Sequence, residues 1–337
     1  MNIRLSVVIP GYCTADSLWR RCIESVLRNL RSDDEIICVD DGSPVQPSAP
    51  CEMASHDSRI SVIRLSKNCG QAAARNKGVE MSKGRYVAFV DSDDVVRGGT
   101  YEKAISALED SGSDIAVYGV RVIWHNDGLC KDDSMPAASL GTLTAKGVSQ
   151  LRKARLFNYP WNKVYRRSFL DRNGISFEEH CVPREDEIFN LDCVTADARW
   201  CVVSHIGHLY FHGDGTSLSR YRRYNDESNR GVAAAWRRCA DHLGVALESL
   251  DASGGTTELD FAASNWTNMW RRGSPVSFFG RWKWLRCHKE LGGYVMFLKT
   301  VAFFFLRKHF YIRPLRRWHL KRIVRGIRNS TDEDFRL

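Results

Sequence analysis

Over the first 120 residues, short apolar runs alternate with stretches of a different rhythm. Residues 5–9, 35–39, 60–65, 85–90 and 115–120 are almost continuously hydrophobic and rich in Val and Ile, which predicts strands buried on both faces. Between the first two runs, Leu18, Cys22, Val26 and Leu30 recur at every fourth position, predicting a helix with one apolar stripe. Residues 70–81, between the third and fourth runs, are rich in Ala and suit a helix. Strand–helix–strand alternation of this kind predicts an α/β fold with a mainly parallel sheet flanked by helices. Residues 126–147 are polar and rich in Gly, Ala and Ser, which predicts an excursion without its own elements. The pattern becomes helical after about Tyr221. One domain is therefore expected over 1–220, with halves at 1–125 and 147–220, followed by a helical extension over 221–337.

Charge sharpens that boundary. The chain of 337 residues carries a net +9, yet residues 281–328 alone hold 14 Lys/Arg against the single acid Glu290. The rest of the chain is thus slightly acidic. In 281–328 the basic residues are interleaved with Trp and Phe, which suits a helix lying against an anionic membrane surface. Packing within the protein or between copies suits the same string, as does binding to nucleic acid; its high apolar content turns the expectation away from nucleic acid. No run reaches the roughly 20 residues needed to span a bilayer; residues 294–306 come nearest and contain Lys299. The 11 cysteines are odd in number, scattered and without a C-x-x-C pair, the pattern of a reducing compartment. With no signal peptide visible at MNIRLSVVIP, the chain is expected to be cytoplasmic and peripheral on the inner face of the membrane.

Polar and acidic residues gather where the predicted strands end: Pro10-Gly11-Tyr12, Asp40-Asp41-Gly42-Ser43, Ser66-Lys67-Asn68 and Asp91-Ser92-Asp93-Asp94. In open α/β sheets, ligands bind beyond the carboxyl ends of the strands. Asp91 and Asp93, two apart in an extended segment, point the same way and suit a shared hard divalent cation. Each string also has a plainer reading. Both Asp-rich strings suit surface turns, Asn68 to Gly78 suits a capped helix ending in Gly, and Glu185-Asp186 suits the acidic first turn of a helix. No G-x-G-x-x-G follows the first strand and no Walker-A loop occurs, which argues against a dinucleotide or P-loop enzyme.

Taken together, these strings resemble the family 2 glycosyltransferases of the GT-A fold, of the kind that build bacterial cell-surface polysaccharides. The matching stretches are SVVIPGY (6–12), EIICVDDGS (35–43), NCGQAAARNKG (68–78) and GRYVAFVDSDD (84–94), then WNKVYRRSFL (161–170), REDEIFNLD (184–192) and YFHGDGTSLS (210–219). The chain departs from the family pattern at Cys13, where Asn is usual, and at His212, where another basic residue is common. The resemblance implies an inverting transferase that uses a nucleotide-sugar donor, UDP-linked, and a glycan or lipid-linked saccharide acceptor. Pro10, Tyr12, Asp40, Asp41, Asn68 and Arg75 would hold the nucleotide, with Ser92 and Asp93 at the diphosphate. Asp91 and Asp93 would hold Mn²⁺ or Mg²⁺, and Asp186 would be the general base, kept ionised by Arg184 and the helix start. Trp161, Asn162, Lys163, Glu185 and His212 would meet the substrate, although Trp161 also suits a core position. Two alternatives remain at this point: transfer to a polyprenyl phosphate, and a nucleotide-sugar-binding protein without catalysis.

Overall fold

The five apolar runs become β1 (Leu5–Gly11), β2 (Glu35–Asp40), β3 (Ile60–Arg64), β4 (Tyr86–Phe89) and β6 (Ile115–Trp124), with the short β5 (Val95–Val96) between the last two. The computed structural model describes residues 3–124, 129–180, 184–212 and 226–250, all in a unit spanning Met1–Phe261. Later strands are β7 (Cys130–Asp133), β8 (Ala138–Thr142), β9 (Lys163–Arg166) and β10 (Arg199–His212). They join one mixed sheet in the order β3-β2-β1-β4-β9-β6-β10-β5, with β7 added on β6 and β8 on β10. The first four strands of that row are mutually parallel. β9 runs antiparallel to both β4 and β6, and β10 is parallel to β6. The carboxyl ends of β1, β2, β4 and β10 and the start of β9 therefore share one edge.

Alternate residues of each central strand feed opposite faces. Leu5, Val7 and Ile9 pack under α1 (Asp16–Leu27) and α4 (Thr100–Ser111), against Trp19, Ile23 and Tyr101. Val8, Ile37 and Phe89 face the other layer, formed by α3 (Gln71–Met81), α5 (Ala145–Lys153), α6 (Arg167–Asn173) and α7 (Glu185–Thr195). Along α1 the buried stripe is Trp19, Cys22, Ile23 and Val26, an i, i+3, i+4, i+7 pattern that follows 3.6 residues per turn. Leu18 and Leu30, at the ends of the expected every-fourth series, stay partly exposed. Gly78 is not the end of a helix. It lies inside α3, where any side chain would run into Val8 of β1. α2 (Ser48–His56) covers the β2–β3 side.

Two expectations need correction. Residues 126–147 are not an element-free excursion, since β7, β8 and the start of α5 fall there. These strands pair at the rim of the sheet and bury little beyond Asp133, so they show no hydrophobic alternation. Beyond residue 220, α8 (Asp226–His242) packs on α7 in the same core, with Trp236 fully buried near Phe157. The compact unit thus extends past the expected boundary. Residues 251–337, including the basic segment 281–328, lie outside the described residues. Among the described residues no helix is long and apolar enough to cross a membrane.

The Trp236 indole donates to Glu187 Oε1 at 2.8 Å across the α7–α8 contact. Trp236→Phe keeps an aromatic side chain but removes the donor and part of the ring volume, leaving a buried carboxylate oxygen unpaired beside a small cavity. It should lower unfolding stability by about 1–3 kcal/mol, read from urea denaturation.

Candidate active site

Three loops at the carboxyl edge are bound to one another by their own side chains. Asp41 is 3% exposed; its Oδ1 accepts from the Cys69 N–H at 2.8 Å and its Oδ2 from the Gly70 N–H at 2.9 Å. Burial pushes the Asp41 carboxyl up, Asp40 adds to this, and the two backbone donors oppose it. Asp40, 1% exposed, accepts at Oδ1 from the Ser43 N–H at 3.1 Å and from the Ser43 hydroxyl at 2.5 Å. Its Oδ2 has no hydrogen-bond partner among the described residues, and Arg64 Nε stands 3.3 Å away as an ion pair. The two acids expected to meet the nucleotide are thus largely spent on the chain. Cys13 donates its N–H to the Ser43 hydroxyl at 2.9 Å and sits at φ 52°. That left-handed conformation is one that Asn tolerates well. Pro10 is buried in β1, while Tyr12 and Asn68 are exposed at the mouth.

The centre of the site is Arg75, fully buried on α3. Its guanidinium donates to Asp186 Oδ1 at 2.5 Å and to Asp91 Oδ1 at 3.0 Å, and Glu185 Oε1 lies at 3.5 Å. It also lies over the Phe177 ring at 5.2 Å. Gln71 adds a second donor to Asp91 Oδ1 at 2.7 Å. Arg75 was expected to hold the nucleotide; the structure instead pairs it with these acids. Residues 91–94 form a turn closed by the Asp94 N–H to the Asp91 carbonyl at 3.0 Å, not an extended segment. Within it the Ser92 hydroxyl pairs with Thr14 at 2.8 Å, and Arg21 donates to the Asp93 carbonyl at 2.5 Å.

α7 begins just after Arg184, a non-glycine residue at φ 116°, a local strain of about 1–3 kcal/mol of the kind found at functional sites. Arg184 does not serve Asp186. Its side chain pairs with Glu187 at 2.5 Å and its N–H donates to Glu185 Oε2 at 2.9 Å. Asp186 takes Arg75 as its cation, and burial pushes its carboxyl up to about 8, with Glu185 and Asp91 adding to the rise and Arg75 opposing it. The Asp186 side chain remains 25% exposed and that of Asp91 22%, in contrast to the sealed Asp40 and Asp41.

Aromatic rings close the other side. Trp161, 3% exposed, stacks on Tyr159 at 4.5 Å, on His208 at 4.2 Å and on Tyr210 at 5.6 Å. His208 Nε2 pairs with Asp94 Oδ2 at 2.9 Å, and burial pushes its imidazole down to about 3, so it is neutral. Burial pushes the Tyr210 hydroxyl up, and the acids of the 91–94 turn together with Tyr159 push it further. Asn162 and Lys163, expected at the substrate, are both fully buried and tie down residues 156–159. The Asn162 amide donates to the Tyr118 and Leu156 carbonyls, and the Lys163 ammonium to those of Leu156, Phe157 and Tyr159. Their place is structural. Asp94 Oδ1 also accepts from the Phe211 N–H at 3.2 Å, so the end of β10 is held at the turn; His212 there pairs with Trp124. Gln71, Arg21, Tyr159, His208 and Tyr210 were not foreseen. Only Asp94, fourth in the acidic string, carried a signal that could have led to them.

Among the described residues no group of three or more His, Cys, Asp or Glu side chains is assembled to hold a metal ion. Asp91 and Asp93 are partly exposed and offer oxygen donors alone, the donor type that suits Mg²⁺ or Mn²⁺.

Residues 6–174 match the model of the glycosyl transferase family 2. EpsJ of Bacillus subtilis, described as an uncharacterized glycosyltransferase, is 32% identical over 193 residues, covering 56% of this chain and 55% of the relative. The succinoglycan biosynthesis protein ExoO of Rhizobium meliloti is 30% identical over 226 residues, 65% of this chain and 63% of that protein. The chain thus spans between half and two thirds of the length of these relatives. The crystal structure of Staphylococcus aureus TarS 1–349 in complex with UDP-GlcNAc superposes with a TM-score of 0.63 at 18% identity, over 86% of this chain and 80% of that one, which shows a shared GT-A fold. With the family match running through the first four edge loops and on to α6, the chain belongs to glycosyl transferase family 2.

Proposed function

We propose that this protein transfers a sugar from a UDP-linked donor to a hydroxyl of a glycan or lipid-linked acceptor, by single displacement with inversion at the anomeric carbon. One observation carries the reading: a single buried guanidinium, Arg75, joins Asp91 of the turn after β4 to Asp186 at the start of α7. That contact brings the carboxylate suited to the diphosphate side and the carboxylate suited to the acceptor into one cluster, both partly open. Family membership supports sugar transfer, and the fold shared with a protein crystallised with UDP-GlcNAc supports a UDP donor.

In this scheme Pro10, Tyr12 and Asn68 line the nucleotide pocket. Asp40, held by Ser43 and paired with Arg64, and Asp41, held by the Cys69 and Gly70 amides, act by fixing the shape of the loops that line it. Asp91 and Asp93 would hold a divalent ion, which when bound supplies positive charge toward the diphosphate. Asp186 takes the proton of the acceptor hydroxyl as its oxygen attacks the anomeric carbon. The bond to the diphosphate breaks on the opposite face, and its electron pair leaves with UDP. Arg75 orients the Asp186 carboxylate throughout.

Chelator should abolish transfer, Mn²⁺ or Mg²⁺ should restore it, and the Asp93→Ala variant should not be rescued. Full transfer in excess chelator would sink the metal assignment. Asp41→Ala leaves two loop N–H groups unpaired and should weaken UDP binding by about 1–3 kcal/mol, read by titration calorimetry; unchanged affinity would detach the 67–70 loop from the nucleotide.

Asp186→Asn keeps the shape and removes the proton acceptor, so transfer should fall by about 10²–10⁴-fold with UDP affinity little changed. Glu185→Gln and Glu187→Gln should retain far more. A base whose carboxyl is pushed up to about 8 is protonated, and idle, at lower pH. The parent kcat/KM for acceptor should therefore climb from pH 6 toward 8, then flatten, and Asp186→Asn should lose that limb. A profile flat from pH 5 would contradict the assignment.

A further inference from the structure

We propose that Gln71 and Arg75 make Asp91 a ligand through one oxygen only, and that this sets the preference of the site for Mg²⁺ or Mn²⁺ over Ca²⁺. The inference rests on the glycosyl-transfer reading, in which Asp91 holds a divalent ion, and adds Gln71 to it. Gln71 and Arg75 stand one turn apart on α3, the spacing at which helical side chains share a face. Both donate to the same atom, Asp91 Oδ1, at 2.7 Å and 3.0 Å. A carboxylate oxygen has about two lone-pair sites, so Oδ1 is filled. Oδ2 meets no donor among the described residues. Unlike Asp40 Oδ2 it is not sealed, and the Asp91 side chain keeps 22% exposure.

Both donors are anchored. Arg75 is fully buried and paired on its other side with Asp186 and Glu185. Gln71 opens α3 directly after Gly70, whose N–H is held by Asp41 at 2.9 Å, so the root of its side chain is pinned to the loop after β2. Its neutral amide fills Oδ1 without placing a second positive charge beside Arg75. Freeing Oδ1 for a metal would break both hydrogen bonds, each to a charged oxygen, and leave a buried guanidinium one partner short. That cost falls unequally on different ions. Ca²⁺ accommodates about six to eight oxygens and takes a carboxylate by one or both of its oxygens. Mg²⁺ and Mn²⁺ favour octahedral geometry and are satisfied by one. An Asp91 confined to Oδ2 therefore withholds a ligand from Ca²⁺ and none from the smaller ions.

The test uses the full chain with UDP and with Mn²⁺ as the probe. It reads the EPR signal of free Mn²⁺ against a blank of UDP alone, not turnover. Ca²⁺ is then titrated in, and the return of the signal gives the ratio of the Ca²⁺ Kd to the Mn²⁺ Kd. Gln71→Met keeps the length of the side chain and removes the donor. Its ratio should fall about tenfold, the scale of one hydrogen bond to a charged oxygen, and Gln71→Ala should fall likewise. Gln71→Lys weakens both ions by its charge but still donates, so its ratio should stay within about twofold of parent. A purely structural role for Gln71 would weaken both ions alike and leave the ratio where it was. A parent-like ratio in Gln71→Met and Gln71→Ala would overturn the proposal, as would an equal fall in Gln71→Lys. Failure of the underlying metal assignment shows separately, as a parent chain that takes up no Mn²⁺ with UDP present, and it removes the proposal with it.

Discussion

A guanidinium sealed from water among three carboxylates is the constraint on which the rest of the site depends. Burying a cation costs several kcal/mol unless it is paired and hydrogen-bonded. Here burial works against the Arg75 charge, and Asp186, Asp91 and Glu185 more than offset it, so its pKa is pushed up. The three acids sit on two separate parts of the chain, the turn after β4 and the first turn of α7, while Arg75 itself comes from α3. Pairing one cation with three anions leaves an excess of negative charge in a poorly solvated place. Burial together with that excess raises the pKa of Asp186.

Acids at the carboxyl edge fall into two kinds, and burial separates them. Asp40, Asp41 and Asp94 are 1–3% exposed. They accept from Ser43, from the Cys69 and Gly70 amides, and from His208 and Phe211. Each satisfies donors that a tight loop would otherwise leave unpaired, so they are scaffold. Asp91 and Asp186 keep 22% and 25% exposure and are held by side-chain cations instead. A carboxylate that keeps part of its surface in solvent has lone pairs left to offer; one buried onto the donors of its own loop has few.

The strands were legible because Val- and Ile-rich runs buried on both faces leave continuous hydrophobic signatures, as in β1, β2 and β4. Placing the acids at strand ends was legible by the same route. What each acid touches was not. Asp41 and Asp91 look alike in sequence, and only the path of the 67–70 loop tells that one meets backbone and the other Arg75. Asn162 and Lys163 misled for a related reason: polar side chains in a motif suggest substrate, whereas Lys163 donates to three carbonyls of its own loop. β7 and β8 left no trace because rim strands bury almost nothing. α8 was misplaced because its burial depends on α7, a partner that local periodicity does not reveal.

The 91–94 turn finally shows how one short segment can organise two sides of a site. Asp91 points to Arg75 and through it to Asp186, while Asp94 points to His208 and the end of β10. Between them Ser92 is tied to Thr14, and the Asp93 carbonyl is held by Arg21, whose guanidinium lies 4.1 Å over the Phe211 ring. Four consecutive residues thus have four fixed directions. The turn cannot shift without dragging His208, and with it the aromatic stack of Trp161, Tyr159 and Tyr210. A neutral, fully buried imidazole suits that task, since a charged one would move with pH and with every ion bound nearby. The geometry of the Arg75 carboxylate cluster and of the aromatic wall is therefore set by one rigid piece of chain.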